Sequence, residues 1–157
     1  MELEKVHQHF AIDLNNKVWG LLENSNRTES ENQSLIWAAY ASLYHWSEIG
    51  QPVNIQRGEW MVSRVWAVLG CAEQAIYHAE RCRELTEKLA LTGFDLAYSW
   101  EAIARAYACV KPDMRQSDKA LEYFNNAKIA GGKIEGEENI KLFFADLENG
   151  PWFGLIE

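Results

Sequence analysis

The stretch that decides the fold is Trp100–Tyr107, WEAIARAY, read together with Ala120–Phe124, ALEYF. Trp100, Ile103, Ala104 and Tyr107 recur at i, i+3, i+4 and i+7, the spacing that puts side chains on one face of an α-helix. Ala120, Phe124 and Ala127 carry the same period into a second helix, opened by Ser117 and ended near Gly131 and Gly132. Pro112 closes the first helix, because the residue before a proline avoids the helical region. A connection as short as VKPDMRQ makes the two helices antiparallel neighbours, and the alternation of large and small residues lets them approach closely.

The same pattern extends in both directions. Trp37–Tyr44, WAAYASLY, is a similar octapeptide on a second helix, which opens at a capping box formed by Thr28 and Glu31 and ends near Gly50, before Pro52. A first helix over Leu3–Glu23 sets Val6, Phe10, Leu14, Val18 and Leu21 on one stripe. A third is expected from a cap at Asn54 to about Leu69, with Gly70 supplying a left-handed reversal. The fourth carries Ala75, Ala79, Cys82, Leu85 and Leu89 and closes at Gly93. The fifth begins at Asp95, and a seventh over Glu137–Glu148 places Ile140, Phe143, Phe144 and Leu147 inward, ahead of the tail GPWFGLIE. Nowhere does apolar and polar character alternate as a half-buried strand requires. The expectation is an all-α chain of about seven antiparallel helices stacked as hairpins, forming a single domain over 1–157. Trp37, Tyr40, Tyr44, Trp100, Ile103, Tyr107, Phe124, Phe143 and Phe144 are its expected core side chains.

WEAIARAY followed by ALEYF and Ala127 resembles the tetratricopeptide repeat, whose unit pairs a WxxL(G/A)xxY helix with an AxxxF helix. WAAYASLY matches the first half of that unit, and Trp66, Gly70, Ala75, Ala79 and Cys82 fall at a third set of its spacings. Trp100 to Ala120 is four residues longer than the repeat's usual separation, the excess lying in VKPDMRQ, and no proline closes the unit after Ala130. The resemblance therefore implies a divergent tetratricopeptide-like α-α superhelix with repeat-like hairpins over 34–132. Atypical terminal helices and the tail occupy 1–33 and 133–157. The whole chain is also similar to a group of bacterial proteins of unassigned function that share YHW, RGEW and a GPWFGL-type ending, a likeness that implies no activity. What the repeat family implies is a protein- or peptide-binding scaffold whose inner helices grip the partner through polar side chains.

The 15 basic against 23 acidic residues give a net charge of −8, which repels phosphate backbones and anionic lipid, so neither nucleic acid nor membrane is an expected partner. Hydrophobic residues at 48% and charged residues at 24% exclude a disordered chain and a collagen-like one. MELEKVHQHF lacks the basic start and apolar run of a secretory signal, which favours the cytoplasm, and no segment is long and apolar enough to span a bilayer. Cys71, Cys82 and Cys109 are odd in number and show no CxxC spacing, as expected of reduced, packed thiols. The sequons at Asn26 and Asn32 would matter only in a secreted protein.

No GxSxG, HExxH, glycine-rich phosphate loop or CxxC pair is present, so no catalytic residue, metal or cofactor is expected. His7 and His9 point to different faces of a helix, and His45 and His78 are isolated. The informative segment is Tyr44–Arg64, YHWSEIGQPVNIQRGEWMVSR, where aromatic and hydrogen-bonding groups crowd a helix–loop–helix corner. Its candidate binding residues are His45, Trp46, Asn54, Arg57, Glu59, Trp60 and Arg64. Arg57 and Arg64, seven apart, share a face suited to a carboxylate, and Gln56, Glu59 and Ser63 share another. Three readings stay open: a groove for a peptide or protein, which includes a second copy of the chain; an internal salt-bridge network; or a small-molecule site or enzyme with Glu59 or His45 as general base. The tail's Trp152, Phe153, Leu155 and Ile156 are expected either to fold back on the last hairpins or to dock in a partner.

Overall fold

A computed structural model describes residues 2–156 and is built entirely from helices: α1 Leu3–Glu23, α2 Glu29–Ile49, α3 Pro52–Val68, α4 Ala72–Lys88, α5 Gly93–Ala108, α6 Ser117–Gly132 and α7 Glu137–Glu148. α1 packs on α2, α3 on α4 and α5 on α6, and α7 rests on α5 and α6. Because α3 also touches α5, the odd-numbered helices line up along one side of the stack and the even-numbered ones along the other. Among the described residues no helix is long and apolar enough to cross a membrane.

Local chemistry sets the boundaries. The Thr28 hydroxyl accepts from the Glu31 N–H at 3.1 Å while the Glu31 carboxylate accepts from the Thr28 N–H at 2.7 Å, which starts α2. α3 begins earlier than the expected cap at Asn54. Pro52 occupies its first turn, where a missing N–H costs nothing, and Asn54 instead reaches back to accept from the Gln51 N–H at 3.0 Å. Gly70 adopts φ +79° at the α3–α4 reversal, and the α4–α5 turn uses Ala90 at +50° and Gly93 at +62°.

α2 departs from expectation. Its buried face is Leu35, Ala38, Ala39 and Ser42, whereas Trp37 and Tyr44 are 65% and 58% exposed and Tyr40 lies at the surface edge. The small residues let α1 come close enough for the Ser42 hydroxyl to donate to the Ala11 carbonyl at 2.7 Å, and this approach turns the aromatic stripe outward. Phe10 on α1 is likewise exposed, while Val18 and Ala11 are buried. The similar octapeptides thus occupy opposite arms of their hairpins, Trp37–Tyr44 on the second arm of the first and Trp100–Tyr107 on the first arm of the third. Residue 34 lies within α2.

The tail folds back. Trp152 is buried against Phe124 and covers the guanidinium of Arg105, whose carbon sits 4.1 Å from the ring centroid. Arg105 is wholly buried and spends its donors on the Glu101 carboxylate at 2.6 Å and on the carbonyls of Asp146, Asn149 and Pro151 at 3.2, 2.8 and 3.0 Å. Removing one partner of such a buried pair leaves an uncompensated charge. Arg105→Ala should cost about 3–5 kcal/mol by denaturant unfolding and open the segment after Glu148 to proteolysis; an intact tail with unchanged stability would contradict this.

A second prediction separates two adjacent glycines. A Cβ at Gly131 would lie 2.4 Å from the ring of the fully buried Phe143, whereas at Gly132 it would meet nothing within 4 Å. Gly131→Ala should destabilise by about 1–3 kcal/mol through overpacking, and Gly132→Ala should be neutral or mildly stabilising. Thermal melts that fail to separate the pair would refute the packing described for α6 and α7.

Candidate functional site

An open cleft runs along one side of the stack. Its volume is about 540 Å³, and it is lined by Asn15 and Trp19 of α1, Gln56, Arg57, Trp60 and Met61 of α3, Phe94, Asp95 and Tyr98 of α5, and Leu142 and Asp146 of α7. All four odd-numbered helices contribute and no even-numbered helix does, so the cleft is the inner face of the stack. A smaller recess of about 180 Å³ adjoins it and shares Asn15, Arg57 and Met61, adding Ala39, Ser42, Trp46, Asn54 and Gly58.

The walls are aromatic. Trp19 and Trp60 lie with ring centroids 5.7 Å apart, Trp60 meets Tyr98 edge-on at 5.3 Å, and Phe94 stacks on Tyr98 at 5.7 Å. Between these rings the polar groups are engaged with one another. Arg57, still 59% exposed along its side chain, makes two bonds to Asp95, at 2.9 and 3.1 Å. The Trp60 indole N–H donates to Glu101 at 2.8 Å, and the Tyr98 hydroxyl donates to Asp146 at 2.5 Å. Burial, and then the Asp146 acceptor, push the Tyr98 hydroxyl far up, so it stays a neutral donor. Behind the wall, burial works against ionisation of Glu101, but Arg105, Arg64 and the Trp60 N–H overcome it and hold the carboxyl below its usual range. Burial pulls Arg105 down to about 10, which leaves it cationic at neutral pH.

The candidates from the Tyr44–Arg64 corner separate into five places. Arg57 and Trp60 enter the main cleft, and Trp46 and Asn54 line the recess with Arg57. Arg64 sits behind the cleft, bound to Glu101 at 2.7 Å. The two arginines do not share one anion, because each has its own carboxylate on α5. His45 is on another side of the molecule, its Nδ1 2.9 Å from Nδ1 of His7 and its ring stacked on Phe10. Among the described residues no three His, Cys, Asp or Glu side chains gather into a metal-binding set.

Glu59 points the opposite way, into the contacts of α3 with α2 and α4. Its carboxylate receives His78 Nδ1 at 2.6 Å and Arg81 Nε at 2.8 Å, and His78 Nε2 faces the Tyr40 hydroxyl at 2.9 Å, which in turn accepts the Trp66 N–H at 2.9 Å. One proton arrangement satisfies the whole chain, with Nδ1–H donating to Glu59, Tyr40 donating to Nε2 and Trp66 donating to Tyr40. This carboxylate–imidazole–phenol chain binds three helices together and lines neither the cleft nor the recess. Burial disfavours the Glu59 charge, yet the His78 and Arg81 hydrogen bonds outweigh it and lower its pKa. The Cys82 and Cys109 thiols are not reactive partners for any of these groups, since burial raises Cys82 to about 12 and Cys109 to about 11.

Trp19, Phe94, Asp95, Tyr98 and Asp146 were not legible as site residues. Their one sequence signal is that Trp19 lies next to Val18, off the buried stripe of its helix, so that a large aromatic stands where the helix has no hairpin partner to bury it. No family model, curated protein or solved structure matches the chain.

Two measurements test the electrostatics. Glu59 and Glu101 ionise in the folded state below their ordinary 4.5, so the stability they add is present above that pH and is lost as pH falls through their folded values. The melting temperature should therefore fall on going from neutral to strongly acidic buffer, and it should fall less in Glu59→Gln; parallel curves would refute the assignment for Glu59. Arg57→Ala removes a pair whose arginine is largely exposed and should change stability by no more than about 1 kcal/mol, where a loss of several would make Arg57 a structural residue.

Proposed function

We propose that the chain is a tetratricopeptide-like recognition module that holds an extended peptide segment of a partner protein along its inner face. The observation that carries this reading is the pair of adjoining depressions, a large aromatic one and a small one of mixed polar and apolar lining, partitioned by Asn15, Arg57 and Met61. An extended peptide turns alternate side chains to the same side, about 7 Å apart, and two neighbouring recesses of unequal size suit such a pair. Asn15 makes no side-chain hydrogen bond among the described residues, and Arg57 is exposed beyond its bond to Asp95. Both stand on the partition, where a peptide backbone would cross. The buried thiols of Cys82 and Cys109, neither in a disulfide, suit a reducing compartment, the cytoplasm.

A small-molecule ligand is the second reading, favoured by the cleft volume of about 540 Å³, within the range of about 300–1,000 Å³ common for such sites. The enzymatic form of that reading loses its general bases, because Glu59 and His45 line neither depression. No comparison with known proteins argues for one reading over the other, so the support is the geometry of the inner face together with the resemblance of Trp100–Phe124 to the repeat.

Selection of a displayed random-peptide library on the protein tests the reading. Trp19 and Leu142 are 38% and 55% exposed, so Trp19→Ala and Leu142→Lys alter the cleft without emptying the core. Selected peptides should bind either variant at least about tenfold more weakly, a loss of about 1.4 kcal/mol, and should shift the indole N–H signals of Trp19 and Trp60. Peptides that bind both variants like the wild type, or a selection that enriches nothing, would overturn the proposal.

A further inference from the structure

We infer that Tyr40 is a covalent acyl-acceptor site, its hydroxyl oxygen a nucleophile toward activated esters and acyl imidazoles, with His78 as general base and Glu59 as the residue that positions His78. Tyr40, His78 and Glu59 line neither depression of the inner face, so the inference is independent of what that face binds.

The three groups stand in the order of an activated nucleophile: hydroxyl, base, and the group that orients the base. Tyr40 Oη lies 2.9 Å from His78 Nε2, and His78 Nδ1 lies 2.6 Å from the Glu59 carboxylate. An ionised carboxylate only accepts, so Nδ1 carries the proton, and in the neutral imidazole Nε2 turns its lone pair to the phenol O–H. His78 and Glu59 are both buried, and Arg81 holds the other carboxylate oxygen at 2.8 Å, which fixes the imidazole in tautomer and orientation. The Trp66 N–H donates to the same Oη at 2.9 Å. Once the proton has moved to Nε2, the phenolate oxygen therefore has two donors already in place, and no group has to turn to meet the new charge.

Tyr40 is the member of this triad that meets solvent, at 38% exposure. Trp37 and Tyr44 stand at i−3 and i+4 on the same exposed face of α2, and the exposed ring of Tyr77 lies 5.0 Å from that of His78. These rings are uncharged, and the cation bonded into the chain, Arg81, is matched by Glu59. A neutral acyl compound suits such surroundings better than an anionic phosphate ester. In the step, Tyr40 Oη bonds to the carbonyl carbon as its proton passes to His78 Nε2. The bond from that carbon to the leaving group then breaks, and the leaving group departs with the electron pair and takes the proton from Nε2. The products are an O-acyl tyrosine and the protonated leaving group, and nothing is oxidised or reduced.

Tyr44 and Tyr77 are internal controls, since each is 58% exposed, more than Tyr40, and neither hydroxyl is bonded to a histidine among the described residues. The test treats the folded full chain with N-acetylimidazole at neutral pH and follows acetylation residue by residue by peptide mass spectrometry. Hydroxylamine then strips acetyl groups from tyrosine and leaves those on lysine. Tyr40 should acetylate at least about tenfold faster than Tyr44 and Tyr77. In His78→Gln, which keeps a hydrogen-bonding side chain and loses the base, Tyr40 should fall to the rate of the controls or below it. Glu59→Gln should also slow Tyr40 while Tyr44 keeps its rate, a fall that mere loosening of the fold, which exposes tyrosines, would not produce. If His78→Gln does not fold, the ranking of the three tyrosines in the wild-type protein decides alone. Acetylation that follows exposure, with Tyr40 no faster than Tyr44 and Tyr77, would overturn the inference. So would a folded His78→Gln variant in which Tyr40 reacts at the wild-type rate.

Discussion

The pairing of Glu101 with Arg105 is the constraint from which the rest of the inner face follows. Both side chains lie on α5 and both are removed from water, which is tolerable only if every donor and acceptor they carry is met. Glu101 is met from α3 by the Trp60 N–H and by Arg64, as well as by Arg105 itself. Arg105 is met by three carbonyls at the end of α7 and in the turn that follows, and it is roofed by Trp152. One buried ion pair therefore sets the mutual positions of α3, α5, α7 and the tail. A buried pair adds little net stability; what it provides here is geometry, since any other placement of α7 or of Trp152 would strand a charge.

α3 is the helix on which both polar systems converge. From one side Gln56, Trp60 and Arg64, at i, i+4 and i+8, reach α5 and the cleft. From the other, Glu59, Ser63 and Trp66, at i, i+4 and i+7, reach α2 and α4 through His78, Tyr40 and the Ala75 carbonyl. A helix polar on two sides is unusual in a core, and it is tolerated because each polar group ends on a partner, Gln56 Oε1 excepted. The alanines of α5, at positions 97, 102, 104, 106 and 108, are all buried and allow its neighbours to approach on several sides at once. The aromatic walls of the cleft thus stand on a rigid floor, the arrangement that keeps binding groups in place before a ligand arrives.

Much of the fold was legible because helices advertise themselves locally. α1 and α7 have the bounds that periodicity and flanking residues indicate, the Thr28–Glu31 box starts α2, and Gly70 makes its reversal. What failed was the choice of face. On α2 the Trp37, Tyr40 and Tyr44 stripe and the Leu35, Ala38, Ala39 and Ser42 stripe both have helical spacing, and hydrophobicity alone ranks the aromatic one first. Packing ranks it second, because only the smaller stripe lets α1 and α2 close on each other. The same limit applies to the corner at 44–64. Its polar density was visible, but the partners that sort it, Asp95, Glu101, His78 and Arg81, lie 19 to 41 residues away in the chain.

By itself, the sequence determined the secondary structure, the hairpin order and the absence of alternating strands, all of which depend on neighbours within a turn or two of helix. Only the tertiary structure decided which side of α3 faces the cleft, that Arg57 and Arg64 bind separate carboxylates, that the tail is core, and that one amide oxygen is left over. These outcomes depend on which polar groups find partners once water is excluded. That matching is made across distances in the chain that no local pattern records, and burial makes each mismatch costly enough to settle it.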